Sequence, residues 1–238
     1  MCLQPQECRD VEAGESAAML ESPDLQQVFI CKVYLIVAIQ LLLTIIGAAT
    51  VIMSIHSLVY FIVSSNAGLP FYLGISITAI TALCLLCCSD LASYLLFWVL
   101  TTAFGFLVGL TCAVASGDVI LQSAILATAM VVNLTLYTFW AASRGHDFDF
   151  LRPFLFVAIA IVVVFGLVQI VFPMDRIFVM MYGCFGSITF CCYIVCVTDS
   201  LIIKSYSYDK YIWAAVSLYV DIINLFLLLL TVFKASHY

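Results

Sequence analysis

The chain has 238 residues, of which 66% are hydrophobic and 9% are charged, and its mean hydropathy is +1.22. Soluble domains are about 45–50% apolar, so this composition excludes a soluble protein and leaves no room for a separate soluble catalytic domain. The formal charge of −6 does not indicate a partner, because much of it lies in the first 24 residues, and nucleic acid is not a predicted partner.

Residues 1–27 are predicted to form an acidic, solvated and disordered tail in the cytosol. They contain six of the fourteen acidic residues: Glu7, Asp10, Glu12, Glu15, Glu21 and Asp24. The tail has no basic stretch followed by an apolar stretch, so it is not a cleavable signal peptide. Residues 28–233 are predicted to form the membrane domain, and residues 234–238 a short C-terminal tail.

Seven apolar stretches are long enough to cross a bilayer as helices. They are Val28–His56, Pro70–Cys88, Leu91–Ala115, Val119–Ala142, Pro153–Phe172, Ile177–Val197 and Tyr211–Phe233. Turn-forming residues separate them, as in Ser116-Gly117-Asp118 and at Pro173. The sequence therefore predicts an all-α, polytopic seven-helix bundle.

Basic residues predict the orientation of this bundle. With seven spans, one side of the membrane carries Arg9, Lys32, Arg144, Arg152, Lys204 and Lys210, and the other carries Arg176 and Lys234. Basic residues accumulate in cytoplasmic loops, so the N-terminus is expected in the cytosol.

The eleven cysteines do not indicate a disulfide scaffold or a metal site. Most of them lie in apolar runs, where a thiol packs as a small hydrophobic group. Cys84 and Cys87 match C-x-x-C, but no His or second Cys pair lies close enough in the sequence to complete a metal site.

Asp221 stands near the middle of the last span and is the most informative residue of the chain. An acid at this depth costs roughly 2.5–3.5 kcal/mol on insertion scales, so we expect it to face the bundle interior and to be functional. Ser217 and Asn224 share its helix face, at spacings of i, i+4 and i+7.

Other small and polar residues at helical spacing are interpreted as contacts between helices. They are Gln40, Thr44 and Gly47 in the first span, and the pair Gly105 and Gly109 in the third. Small residues let helix backbones approach closely in a membrane.

The stretch YDKYIWAAVSLYVDIINLFLLLL, Tyr208–Leu230, closely resembles the C-terminal signature of the transmembrane BAX-inhibitor-motif family, Lifeguard branch. Further matches are FICKVY at 29–34, QLLLT at 40–44, and LTLYTFWA at 134–141 with RGHDF at 144–148. The last two segments are most similar to those of the plant Lifeguard proteins. The resemblance as a whole covers residues 28–233.

The resemblance implies six helices around a central C-terminal helix, in an endomembrane such as the endoplasmic reticulum, Golgi or vacuolar membrane. It also implies suppression of cell death and a pH-sensitive Ca²⁺ leak through two aspartates, one ending the sixth helix and one in the last. Other membrane regulators of cell death are candidate partners. Asp221 matches the second aspartate.

The first aspartate of the family pattern is replaced here. The chain has Val197-Thr198-Asp199, so Val197 occupies the usual position and Asp199 follows two residues later. If the helix ends before Asp199, a turn can swing its carboxylate toward Asp221. If the helix continues, two residues rotate the side chain by about 200° and aim it away.

Two carboxylates that meet at ~5 Å repel by roughly 3 kcal/mol at an effective dielectric near 20. Such a pair titrates as a unit. Sharing one proton, it can hold two helices together; fully ionised, it repels itself and offers oxygen ligands to Ca²⁺. Asp199 and Asp221 are thus predicted as pH sensor and ion path, binding Ca²⁺ transiently, with no resident metal or cofactor.

Three other classes of membrane protein fit less well. A retinal pump needs a lysine inside the last helix, whereas Lys210 and Lys234 lie at its ends. A receptor with seven helices places its N-terminus outside, and intramembrane aspartyl proteases carry motifs that this chain lacks. An enzyme is therefore not predicted. The alternative that stays open is a regulator that binds protein partners and conducts nothing.

Overall fold

The computed structural model describes residues 23–54, 93–144, 148–172, 175–203 and 211–237. The helices are α1 (Pro23–Ser54), α2 (Ser93–Ala113), α3 (Gly117–Ala142), α4 (Arg152–Val171), α5 (Arg176–Ile203) and α6 (Tyr211–His237), with a 3₁₀ turn at Asp149–Leu151. These ranges contain no strand, and the predicted all-α class is confirmed.

Five of the described helices are long and apolar enough to cross a bilayer: Val28–Met53, Gly117–Ala142, Arg152–Gln169, Arg176–Ile202 and Ile212–His237. A shorter apolar stretch, Trp98–Ala113, lies within α2. Large hydrophobic side chains such as Leu35, Ile125 and Phe154 are exposed on the outside of this helical assembly, where lipid replaces water. The predicted second span, Pro70–Cys88, lies outside the described residues.

Three helices extend beyond their predicted ends. Helix α1 begins at Pro23, five residues before the predicted span; a proline fits the first turn because its missing N–H needs no partner there. Helix α6 continues to His237, through most of the predicted C-terminal tail. Helix α5 ends at Ile203 rather than Val197. Hydropathy marks the apolar part of a helix, whereas these helices carry further, more polar turns. The rest of the predicted N-terminal tail lies outside the described residues.

The C-terminal helix occupies the centre of the described bundle. Helix α6 packs against α1, α2, α3 and α5, while α4 packs against α5 and the 3₁₀ turn. Half of the most apolar window of α6 is buried (50%), against 17% for α3 and for α4. This central position agrees with the arrangement that the family resemblance implies.

Glycines allow α1 to pack closely against α2, and α5 against α6. Gly105 on α2 faces Thr44 and Gly47 on α1, and a Cβ built at Gly47 would lie 3.7 Å from the Gly105 Cα. Between α5 and α6, a Cβ at Gly183 would overlap the Val232 side chain. The prediction that the small residues of α1 and α2 serve helix packing is confirmed.

A polar contact joins α1 to the central helix. The Thr44 Oγ1 and the Tyr219 OH lie 2.6 Å apart, and the Thr44 hydroxyl also lies 2.8 Å from the Gln40 carbonyl oxygen. The Tyr219 ring is fully buried and meets Phe104 edge to face, with ring centroids 5.9 Å apart. A buried phenol needs such a partner, so this contact helps to set the position of α1 on α6.

Candidate functional site

Asp221 lies within the bundle, with 5% of its surface exposed. Asp221 is buried because its helix, α6, packs against α1, α2, α3 and α5. Among the described residues, its Oδ2 atom has no hydrogen-bond partner. A buried polar atom without a partner is costly, so this oxygen is a candidate site for a proton or a cation.

The two residues predicted to share the face of Asp221 differ in role. Ser217 lines a cavity one helical turn from Asp221. Asn224 is half-buried, and its Nδ2 atom donates to the Val220 carbonyl oxygen at 2.8 Å. The Asn224 amide thus hydrogen-bonds to its own helix.

The register between α5 and α6 gives the depth of each site residue. Three pairs of residues are in contact or close enough to interact electrostatically: Gly183 with Val232, Gly186 with Leu228, and Tyr193 with Asp221. Further along the two helices, Val197 and Ser217 line the same cavity. The position along α6 falls as the position along α5 rises, so the helices are antiparallel with a constant register.

Asp199 therefore lies at a different depth from Asp221. The register places Asp199 level with Ala215, six residues before Asp221, which is about 9 Å along the helix axis. Its side chain is 3% exposed, and its Oδ2 atom accepts a hydrogen bond from the Phe148 backbone N–H at 3.3 Å. Asp199 thus anchors the segment between α3 and α4.

Of the two geometries considered for Asp199, the structure adopts the helical one. Helix α5 continues through Asp199 to Ile203, so no irregular turn swings the carboxylate toward Asp221. The position that faces the Ser217 side of α6 is Val197, which lines the same cavity as Ser217. The Ser200 hydroxyl donates a hydrogen bond to the Cys196 carbonyl oxygen at 2.6 Å and accepts one from the Arg152 guanidinium. The polar side chain in this last part of α5 therefore has hydrogen-bond partners within the protein, and the helix can continue through it.

A cavity of about 330 Å³ lies between α4, α5 and α6. Its polar wall includes Arg152, Tyr193, Ser200 and Ser217. This cavity is not predicted by the sequence, in which Arg152 indicates only the orientation of the bundle. The sequence does show Arg152 next to Pro153 at the start of a predicted span. It does not show which residues surround the Arg152 side chain, because that depends on how the helices pack.

Nothing in the described ranges brings three or more His, Cys, Asp or Glu side chains together into a group that could hold a metal ion. A resident Ca²⁺ ion takes six to eight oxygen ligands. The two carboxylates alone therefore do not make up a complete Ca²⁺ coordination shell.

Known proteins are similar to this sequence over nearly its whole length. Residues 26–237 match the family described as inhibitor of apoptosis-promoting Bax1. Protein LIFEGUARD 2 of Arabidopsis thaliana is 54% identical over 232 residues, covering 95% of this chain and 96% of that protein. Protein LIFEGUARD 4 of the same plant is 52% identical over 237 residues, covering 95% of each chain.

A more distant relative is viral. The Golgi anti-apoptotic protein of vaccinia virus, strain Lister, is 38% identical over 119 residues, covering 50% of this chain and 48% of the viral protein. The family match and the plant relatives confirm the family resemblance that was based mainly on Tyr208–Leu230. The chain therefore belongs to the BAX inhibitor family, a family of non-enzymatic, cell-death-inhibiting membrane proteins, and is similar to its plant Lifeguard members.

Proposed function

We propose that this protein is an endomembrane regulator of cell death and Ca²⁺ homeostasis that carries a weak, pH-dependent Ca²⁺ leak through Asp221, with Asp199 as the second acid. The observation that carries the proposal is the buried Asp221 carboxylate in the central helix, with one oxygen unpaired among the described residues. An acid is expensive at this depth and is expected to serve a function.

Protonation of Asp221 provides the switch. The neutral carboxyl carries no charge into the apolar bundle, so the closed packing is favoured at low pH. The ionised carboxylate is costly there and is compensated by a cation, for which it is a suitable oxygen ligand. Flux through this site is therefore expected to rise with pH.

Two features favour a small leak. Asp199 lies about 9 Å from Asp221 along the helix axis, so each acid binds a cation separately and weakly. Val197 stands where the family pattern has an aspartate, so the cavity next to Ser217 has one carboxylate fewer to attract Ca²⁺.

The complete bundle is proposed to contain seven helices, with the N-terminus in the cytosol. The basic-residue bias supports this orientation. Arg152 contacts Ser200 at one end of α5, while Arg176 donates to the Ala235 and Ser236 carbonyls at the other end, so the two arginines lie at opposite ends of the bundle. The endoplasmic reticulum, Golgi and vacuolar membranes are the proposed locations; the name of the viral relative places that protein in the Golgi.

Reconstituted Ca²⁺ flux tests the leak. Proteoliposomes with the native chain should show flux that rises with pH, and Asp221→Asn should abolish the pH response. Asp199→Asn should reduce flux by less. Asp118→Asn is the matched control, because Asp118 is exposed in the first turn of α3 and the same chemical change there should leave flux unaltered.

Position 197 provides a gain-of-function test. Val197 lines the same cavity as Ser217, one turn from Asp221, so Val197→Asp restores a carboxylate next to that face. This variant should increase flux or shift its pH response, whereas Val197→Asn should not.

The second candidate is a regulator that conducts nothing and acts by binding other membrane regulators of cell death. The replacement of the usual aspartate by Val197 favours it. Native flux that is unchanged by Asp221→Asn, together with no gain from Val197→Asp, would select this function.

A further inference from the structure

We propose that the cavity between α4, α5 and α6 is a water-filled vestibule that leads from the membrane–water interface toward Asp221, with the Tyr193 side chain as the barrier at its inner end. Its role as an entrance for Ca²⁺ rests on the proposed leak, whereas the vestibule itself does not. Three features of the molecule support it: the position of the cavity, the residues that line it, and the packing on the other side of α6.

The outer end of the cavity lies at the membrane–water interface. Arg152, which lines it, is the first residue of the span Arg152–Gln169, and Trp213, which also lines it, is the second residue of the span Ile212–His237. Arginine and tryptophan near the ends of spans lie at the interface. Both side chains are exposed, so the cavity borders the outside of the bundle at this level.

The inner end of the cavity lies close to Asp221. Tyr193 lines the cavity from α5 and is near enough to Asp221 to interact with it electrostatically. Ser217 lines it from α6, one helical turn or about 6 Å before Asp221. On α5 the lining runs from Ser200 to Tyr193, a rise of about 10 Å. The cavity therefore extends from the interface through most of the depth at which Asp221 lies.

The size and the lining of the cavity suit water. Its volume is about 330 Å³, and a water molecule takes about 30 Å³ in the liquid, so several molecules fit. Internal water needs about two to four polar partners, and the hydroxyls of Tyr193, Ser200 and Ser217 can provide them because each can both donate and accept. The spacing of these three hydroxyls along the wall gives water partners at both ends of the cavity.

Tyr193 separates the cavity from Asp221. The Tyr193 side chain is half-buried and lines the cavity, whereas Asp221 is 5% exposed and is not one of the lining residues. An aromatic ring at this position covers the inner wall. A change of the Tyr193 χ1 rotamer then joins the vestibule to the carboxylate.

The opposite face of α6 is closed by packing. Tyr219 lies about 200° around the helix from Asp221 and is fully buried. Its hydroxyl is 2.6 Å from the Thr44 Oγ1 on α1, and its ring meets Phe104 of α2 edge to face. Solvent therefore does not reach α6 from this side at the level of Asp221. Tyr219 is thus a natural reference for Tyr193, as a phenol at nearly the same depth.

Radiolytic hydroxyl-radical footprinting of the full chain in detergent, measured residue by residue with mass spectrometry, tests the vestibule. The radicals form from water where it lies, so side chains next to internal water are oxidised. Tyr193 should be modified severalfold more than Tyr219. Equal modification of the two phenols would overturn the vestibule.

A variant that fills the cavity makes this test specific. Ala214 lines the cavity and is 4% exposed, so Ala214→Leu should displace water and lower Tyr193 modification severalfold. Ala129→Leu is the matched control, because Ala129 lies on the exposed face of α3 and the same change there should leave Tyr193 modification unaltered. Tyr193 modification that is unchanged in Ala214→Leu would refute the proposal.

Ca²⁺ flux in proteoliposomes tests Tyr193 as the barrier. Tyr193→Ala removes the ring and should increase flux severalfold, whereas Tyr193→Phe keeps the ring and should retain the native flux. Tyr137→Ala is the control, since Tyr137 is exposed on α3 and its ring is not part of the cavity wall. Equal flux for the native chain, Tyr193→Ala and Tyr193→Phe would show that the ring is not a barrier.

The two measurements separate the vestibule from the leak. If Tyr193 is modified as expected but the native chain shows no flux that depends on Asp221, the vestibule is supported and the leak is rejected. If flux depends on Asp221 but Tyr193 and Tyr219 are modified equally, the leak is supported and the vestibule is rejected.

Discussion

Alanine substitutions at Gly105 and Gly109, the two glycines of α2, should have opposite effects on stability. In the sequence the two residues form one small-residue pair, but their surroundings in the structure differ. A Cβ at Gly109 would lie 2.8 Å from the Val51 Cβ and 3.1 Å from the Ala48 Cα, both on α1. At Gly105 the nearest atom would be the Thr44 Cα at 3.6 Å, which is an ordinary contact.

These distances set the magnitudes. Overpacking costs about 1–3 kcal/mol, and at Gly109 it cannot be relieved cheaply, because Val51 is β-branched and the Ala48 atom belongs to the backbone. The upper part of this range, about 2–3 kcal/mol, therefore applies at Gly109. Alanine gains about 1 kcal/mol over glycine in helix propensity, so Gly109→Ala should destabilise the protein by about 1–2 kcal/mol. Gly105→Ala should be neutral or stabilising by up to about 1 kcal/mol.

Unfolding of the full chain in mixed micelles, followed by circular dichroism, measures these free energies. Gly117→Ala is the control, since a Cβ there would meet nothing within 4 Å and the effect should stay within about 0.5 kcal/mol. Equal destabilisation by Gly105→Ala and Gly109→Ala would show that α1 and α2 do not approach each other at these distances.

Three further predictions concern the central helix and the orientation. Tyr219→Phe should cost about 0.5–1.5 kcal/mol in unfolding free energy, and Thr44→Val should add little to it because both remove the same contact; additive losses would contradict the bond. Gly183→Ala should destabilise by about 1–2 kcal/mol, which is an overpacking cost of about 2–3 kcal/mol from overlap with Val232 less about 1 kcal/mol of helix propensity; unaltered unfolding would contradict the α5–α6 packing. Protease added outside sealed microsomes should remove the N-terminal tail, and a protected tail would reverse the orientation.

Much of the architecture follows from the sequence without any structure. Long apolar runs can satisfy their backbone groups in lipid only as helices, so length and hydropathy identify the spans. The cost of an acid in lipid singles out Asp221, and the residues around it identify the family. Each of these conclusions depends only on the residues within one segment, and not on how the segments pack together.

The position of Asp199 relative to Asp221 could not be predicted from the sequence. Hydropathy ends the sixth predicted span at Val197, whereas α5 continues to Ile203 because Asp199 and Ser200 find partners in Phe148 and Arg152. Those partners lie about 50 residues away in sequence. No local pattern contains this information.

Register and close packing were likewise decided by the tertiary structure. The antiparallel match of α5 and α6 sets Val197 beside Ser217 and leaves Asp199 about 9 Å from Asp221 along the axis. The same docking creates the cavity at Arg152. Sequence determines which residues each helix carries, but the depth at which two helices meet depends on side-chain packing across both surfaces, and that depth decides which charges can interact.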